Sequence, residues 1–282
     1  MITEEVFGPV LHIVRYRRGR RDQLIAEINA LGFGLTFGVH SRLDAEIAQL
    51  SAAAQVGNVY VNRNIVGAVV GVQPFGGHGL SGTGPKAGGP LYLNRMVRGS
   101  GLVPQGTPTA VPKALADWAK RLGRDVAGQV EQMFKLTPLG HYADLAGPVG
   151  ETNSYAVELR GSVFLVPETE AGFAVQIAAI LATGNSGIVD AECGIFACLP
   201  GLLSTYVKGA HNAIAAAELA GALIESEAEA PEVLRRLAER DGPIVVAQVG
   251  DIRLDLLVRE RVISTDTTAA GGNASLMTLS SS

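Results

Sequence analysis

Residues 35–62 read LTFGVHSRLDAEIAQLSAAAQVGNVYVN. Leu35–His40 has the alternating apolar pattern of a strand. Leu43–Ala54 carries Ile47 and Leu50 at helical spacing, which predicts a helix with those two inward. Asn58–Asn62 reads as a buried strand. The pattern extends upstream: Asp22 can cap a helix bearing Leu24, Ile25, Ile28 and Leu31, closed by Gly32, and 6–16 reads as a further strand. Strands alternating with helices predict an α/β fold whose parallel sheet is covered by helices.

Residues 63–90 hold too much Gly and Pro for regular structure, and a loop this long in a folded domain is usually functional. Residues 91–97, LYLNRMV, return to strand character, and 99–112 is a linker by composition. Lys113–Phe134 predicts one amphipathic helix. A second α/β segment follows. Its expected elements are two strands around Arg160–Gly161, a helix over 171–182, a strand over 186–190 and a helix over 208–219. A strand over 222–225, a helix from Pro231 to Arg240, a strand over 243–249 and a strand-like stretch at 252–263 complete it. The division this suggests is 1–98, a linker and helix at 99–145, a second unit at 146–262 and a tail at 263–282.

Composition narrows the function classes. With 23 basic against 27 acidic residues the net charge is −4, which gives no case for nucleic acid, and the basic run at 15–21 reads as a solvated face. Glycine, at 35 of 282 residues, clusters in 67–101 and near the end, where close backbone approach would be needed. Cys193 and Cys198 cannot build a disulfide framework, and the histidines show no metal-ligand spacing. Both cysteines are expected as buried apolar packing, in a reducing cytoplasm. No apolar run is long enough to suggest a membrane span.

Two motifs carry chemistry. In EEVFGPV at 4–10, a carboxylate on a strand end can accept hydrogen bonds from a ribose diol, and an adjacent aromatic can pack on a nicotinamide face. In NRNIVGAVVGVQPFGGHGLSGTGPKAGGP at 62–90, Gly67 and Ala68 lack bulk, so their backbone N–H groups can approach a small carboxylate, and Phe75 can wall an aliphatic substrate. Gly77–Gly82 satisfies G-x-G-x-x-G, but no helix-like run follows it, so a dinucleotide fingerprint is not expected there. His78 is expected as an exposed loop residue.

Together these two segments resemble the last third of the catalytic domain of the NAD-dependent aldehyde dehydrogenases, in the L-glutamate γ-semialdehyde dehydrogenase branch. The resemblance implies that Glu5 and Phe7 contact the NAD cofactor. It implies that Gly67 and Ala68 hold the substrate α-carboxylate and that Phe75 lines the aldehyde pocket. LATGNSGIV at 181–189 resembles the aldehyde dehydrogenase cofactor domain. The lysine expected just after it is Asp190, and an acidic turn, Glu225–Ser226–Glu227, stands where a pyrophosphate would lie. The 146–262 unit is therefore expected to be a degenerate, non-catalytic Rossmann-like domain that does not bind NAD. TTAAGGNASLM at 267–277 resembles the C-terminal segment of the bifunctional proline utilization A flavoenzymes. There Gly271, Gly272 and Asn273 would permit a tight backbone path, and Leu276 and Met277 would anchor a lid over an internal tunnel.

The family nucleophile is a cysteine upstream of the E-x-F-G-P motif. With Met1 so close to that motif, the chain is expected to be a truncated piece without the nucleophile, inactive alone. The flavin-dependent proline dehydrogenase part, with its FAD, is likewise expected outside this chain. The expected partners are the rest of the parent polypeptide, the small aldehyde substrate and, by analogy through 91–97, a second copy as a homodimer. The rival reading makes 113–282 a structural lid and assembly module, and the weakest reading is an independent nucleotide-binding protein.

Overall fold

A computed structural model describes residues 6, 8–66, 68–97, 103–216 and 219–268. The first elements are α1 (Arg21–Ala30), β1 (Phe33–Gly34), β2 (Thr36–Val39), α2 (Asp44–Ala53), β3 (Asn58–Val61) and the short β4 (His78–Gly79), which pairs antiparallel with β1. β2 and β3 pair in parallel, Thr36 opposite Asn58, with α2 as the crossover. All four residues of β3 are buried, as a central strand requires. Asp22 lies in the first turn of α1 and does not cap it. Arg21 reaches from α1 to Glu46 at 2.7 Å and Gln49 at 2.6 Å, which fastens the two helices.

The second half supplies α3 (Lys113–Leu122), α4 (Arg124–Lys135), β5 (Tyr142–Leu145), β6 (Glu151–Leu159), β7 (Ser162–Val166), α5 (Glu170–Ala182) and β8 (Ser186–Asp190). It continues with β9 (Val207–Ala210), β10 (Leu219–Ile224), α6 (Ala230–Ala238), β11 (Val246–Val249) and β12 (Val258–Asp266). One five-stranded sheet, β11-β10-β7-β8-β9, is parallel throughout. The other five-stranded sheet runs β2-β3-β12-β6-β5. In it β12 lies parallel to β3 and antiparallel to β6. A strand near the end of the chain thus completes the sheet begun by residues 36–61. The fold is α/β with a parallel sheet, as expected.

The main core lies between α5 and the helices α3 and α4. Trp118, Phe173, Ile177 and Ile180 are fully or almost fully buried there. Trp118 meets Phe173 edge-on at 5.9 Å, and its indole N–H donates to Glu170 at 2.6 Å. A buried indole N–H needs such an acceptor.

Several sequence expectations are corrected. Residues 10–17 form no strand, and Leu11 and Ile13 are 84% and 80% exposed. Alternation makes a strand only where a sheet edge is free to pair, and this stretch has no ladder partner among the described residues. Residues 91–97 form turns and a short 3-10 helix at Leu93–Arg95, with Leu91 and Asn94 buried. Their burial follows a period of three, not two. The strand expected to pair two copies is therefore not formed. The helix expected over 113–134 is two helices broken at Gly123, whose φ is +135°. The helix expected over 208–219 is instead β9, a turn through left-handed Asn212 and the start of β10. Val207–Ala210 pairs in parallel with β8, and of the alanines that follow only Ala213–Ala215 turn helical, as a short 3-10 helix.

Candidate functional site

The loop after β3 is built from its anchors. Asn62 sits in the left-handed region, φ 56°, and exchanges two 3.0 Å hydrogen bonds with the Ser41 backbone. Arg63 forms an ion pair with Glu151 and stacks its guanidinium 5.0 Å above the Tyr60 ring. Ala68 lies on the arm that follows, between exposed Val66 and Val70. That arm is tied back at Gln73, which is 4% exposed. The Gln73 amide oxygen accepts from Val69 N at 3.0 Å, and its NH2 donates to Glu151 at 2.6 Å and Asn153 at 3.2 Å.

Phe75 follows after Pro74 and is partly buried. Its backbone exchanges bonds of 3.0 and 2.8 Å with Ala87, closing the second half of the loop. Inside that closure lies a buried polar cluster. The Lys86 ammonium donates to Asn58 Oδ1 at 2.8 Å and to Gly76 O at 2.5 Å. The Lys86 amide and the Tyr155 hydroxyl donate to the two Glu260 oxygens at 2.5 and 2.9 Å. Burial lowers the Lys86 pKa to about 7, against the attraction of Glu260, and burial raises that of Glu260.

His78 is not an exposed loop residue. Its Nε2 lies 3.1 Å from the Glu260 carbonyl, while Nδ1 is buried with no partner among the described residues. Only a neutral ring with its proton on Nε2 suits this setting. Burial, reinforced by Arg259 and Lys86, drops its pKa to about 3. A cavity of about 1050 Å³ opens beside this cluster, lined among others by His78, Lys86, Arg95, Arg160, Arg259 and Glu260, but not by Ala68 or Phe75.

Of the site residues expected from sequence, Ala68 and Phe75 are placed on one loop, on either side of the Gln73 anchor. Glu5, Phe7, Gly67, Gly271, Gly272, Asn273, Leu276 and Met277 lie outside the described residues. Cys193 packs partly buried against the main core, but Cys198 is exposed, so the expectation of two buried cysteines is corrected. Cys198 falls in a 3-10 turn with no buried residue, where it has no core to enter. Among the described residues no three His, Cys, Asp or Glu side chains converge as a metal site, and no helix is long and apolar enough to cross a membrane.

The residues of 146–262 do not fit a dinucleotide. Asp190, at the end of β8, spends its carboxylate on Ala213 N at 2.7 Å. Glu225 lies over the start of α5, where a pyrophosphate would have to sit. Sequence reasoning missed Gln73, Lys86, Glu151 and Glu260. Each is recognisable only through partners far along the chain, and no local pattern marks them.

The aldehyde dehydrogenase family model matches residues 1–99. The chain is 46% identical over 296 residues to the bifunctional protein PutA of Rhizobium meliloti, covering 99% of this chain and 24% of that protein. It is 40% identical over 306 residues to the Escherichia coli (strain K12) PutA, covering 99% and 23%. A 1-pyrroline-5-carboxylate dehydrogenase from Geobacillus thermodenitrificans is 44% identical over 93 residues, 33% of this chain and 18% of that protein. The solved structure of proline utilization A from Corynebacterium freiburgense superposes with a TM-score of 0.62 at 24% identity, over 87% of this chain and 24% of that one, a likeness of fold. The chain spans about a quarter of the length of the curated PutA relatives it matches. Nearly the whole chain is thus similar to a C-terminal aldehyde dehydrogenase portion of the bifunctional PutA proteins, and residues 1–99 match the aldehyde dehydrogenase family model.

Proposed function

We propose that this chain supplies cofactor and substrate-carboxylate contacts to an NAD-dependent L-glutamate γ-semialdehyde dehydrogenase of proline catabolism, without supplying the nucleophilic cysteine. The observation that carries this reading is the whole-length likeness to PutA. The double clamp on the 62–90 loop supports it, through Gln73–Glu151 on one side and Lys86–Glu260 on the other. A loop anchored on both sides can present the Ala68 N–H group to a carboxylate at reduced ordering cost on binding, and Gly67 would add the second N–H. Phe75 would face the aliphatic part of the substrate, and Glu5 and Phe7 would hold the ribose and nicotinamide of NAD. NAD, when bound, supplies the hydride acceptor; FAD would belong to the proline dehydrogenase part of such a polypeptide.

A test begins with the 282-residue chain. With NAD and glutamate semialdehyde it should form no NADH above background. Steady NADH production, lost on Cys193→Ala or Cys198→Ala, would show a nucleophile within the chain. In a longer PutA polypeptide bearing this segment, Ala68→Asp should raise KM for the aldehyde at least about tenfold with a smaller effect on kcat, the mark of lost ground-state binding. An unchanged KM would remove the carboxylate role.

A second reading makes 113–282 a structural lid and assembly module. It is favoured by β12, which joins the sheet of β2 and β3, and both readings can hold in one polypeptide. Deleting 268–282 from the full-length polypeptide should slow the dehydrogenase step or add a lag to the coupled proline-to-glutamate reaction, leaving proline oxidation nearly unchanged. An unaltered coupled time course would make the tail dispensable.

A further inference from the structure

The turn between β7 and α5 has the layout of a nucleotide-binding unit: a parallel strand, a tight turn and a helix whose first N–H groups lack helical partners. In nucleotide-binding proteins a phosphate satisfies such groups. Here the chain puts a carboxylate of its own on the two N–H groups just before the helix, those of Glu168 and Thr169, while Thr169 caps Gly172 within the first turn. β10 lies beside β7, and just past its end the Glu225 N–H donates to Val166 O at 3.0 Å, which sets Glu225 against the turn. One carboxylate oxygen accepts from Glu168 N at 2.7 Å and Thr169 N at 2.9 Å, and the other from the Thr169 hydroxyl at 2.6 Å. Thr169 Oγ1 in turn accepts from Gly172 N at 2.9 Å, so the hydroxyl relays the carboxylate to the first turn of α5.

Space gives an observation independent of these bonds. A Cβ on Gly172 would stand 2.0 Å from the Glu225 carboxylate carbon. The carboxylate therefore lies directly over the helix start, in the space that a Cβ at residue 172 would take. The frame beneath is rigid. Buried Gln176, one turn further on, donates to both Val166 O and Leu223 O at 3.2 Å, locking the two strand ends together.

We propose that the Glu225 carboxylate is the resident anion of this turn, a built-in occupant that takes the place of a phosphate and closes the 146–262 unit to dinucleotides. This rests on the reading of that unit as a cofactor-domain relative without cofactor function. It names the residue responsible: Glu225 acts as an acceptor filling the seat, where charge alone on Glu225 and Glu227 would merely repel a phosphate.

The test is chemical rescue in the full 282-residue chain. Glu225→Ala should lower the Tm by several degrees, and sodium formate should restore it with saturable dependence. Sodium chloride at equal ionic strength should not, and wild type should show no formate-specific gain. Inorganic phosphate should rescue less than formate, because Glu168, Glu170 and Glu227 surround the turn. Formate and chloride acting alike on a folded Glu225→Ala chain, or formate acting equally on wild type, would overturn the proposal. Should Glu225→Ala fail to fold, Glu225→Gln serves: it should fold with a lowered Tm and no formate response, and a wild-type Tm in Glu225→Gln would overturn the proposal. Hydrogen exchange in wild type should show the Glu168 and Thr169 amides protected, and unprotected amides would also overturn it. A separate arm titrates wild type with NAD. Added protection at 167–172 and 186–190 would overturn the non-binding reading itself, whatever the formate result.

Discussion

Lys86 gives Glu260 its backbone N–H at 2.5 Å, across 174 residues of sequence, and turns its ammonium away to Asn58 Oδ1 and Gly76 O. The two residues therefore do not form a direct salt bridge. The carboxylate holds the loop by its main chain, and the ammonium holds it by a carbonyl on the opposite strand of the closure.

Glu260→Ala should for that reason destabilise the chain by about 2–4 kcal/mol, because it strands two buried donors, the Lys86 amide and the Tyr155 hydroxyl. Glu260→Gln, which keeps one acceptor oxygen, should cost less. Urea unfolding of both variants measures this. Equal stability of Glu260→Ala and wild type would show that the loop is held elsewhere.

Glu151 binds Arg63 and Gln73 at once, on the two sides of the arm that carries Ala68. Glu151→Ala should release that arm with little effect on the main core. Hydrogen exchange at 64–73 should quicken, while α5, buried between α3, α4 and the sheet, should keep its protection. Uniform quickening across both regions would instead indicate global destabilisation.

His78 should confer a pH dependence. Its folded pKa is about 3, below the ~6.5 of a free histidine. Between these values the unfolded chain binds the proton and the folded chain does not. Stability from this group is thus complete above pH ~6.5 and is lost as pH falls toward 3, the loss reaching about 3 kcal/mol by pH 4. The His78 ring resonances should not titrate between pH 8 and 5 while the protein is folded. His78→Gln should show a shallower loss of stability on the acid side.

Gly123 separates α3 from α4 at φ +135° and ψ 166°, a region nearly closed to residues with a Cβ, and has open space around it. Gly123→Ala should cost about 1–3 kcal/mol through backbone strain alone. The change should appear as a lower Tm with an unaltered far-ultraviolet circular dichroism spectrum. A wild-type Tm would mean that the corner relaxes at no cost.

Local apolar patterning, alternating, helical or continuous, was enough to place β2, α2 and β3, and again β7, α5 and β8. Each of these elements buries a face whose period is written into consecutive residues. The 62–90 loop was equally legible, because a dense run of Gly and Pro excludes regular structure. The acidic turn at Glu225 stood out as incompatible with phosphate, but not as an occupant of the helix start. That follows from β10 lying next to β7, a neighbour relation that joins residues 56 and 57 positions apart. Local propensity misled at 208–219, where Val207–Ala210 pairs with β8 and the alanines make only a short 3-10 turn, and at 113–134, where one glycine turns a continuous amphipathic stripe into a corner. Only tertiary structure decided that β12 completes the sheet of β2 and β3, that Gln73 meets Glu151, and that Glu260 holds Lys86. The physical reason is the same in each case. A buried donor or acceptor must find a partner, but a single side chain states only that need; which distant residue meets it is set by how the sheets and helices stack.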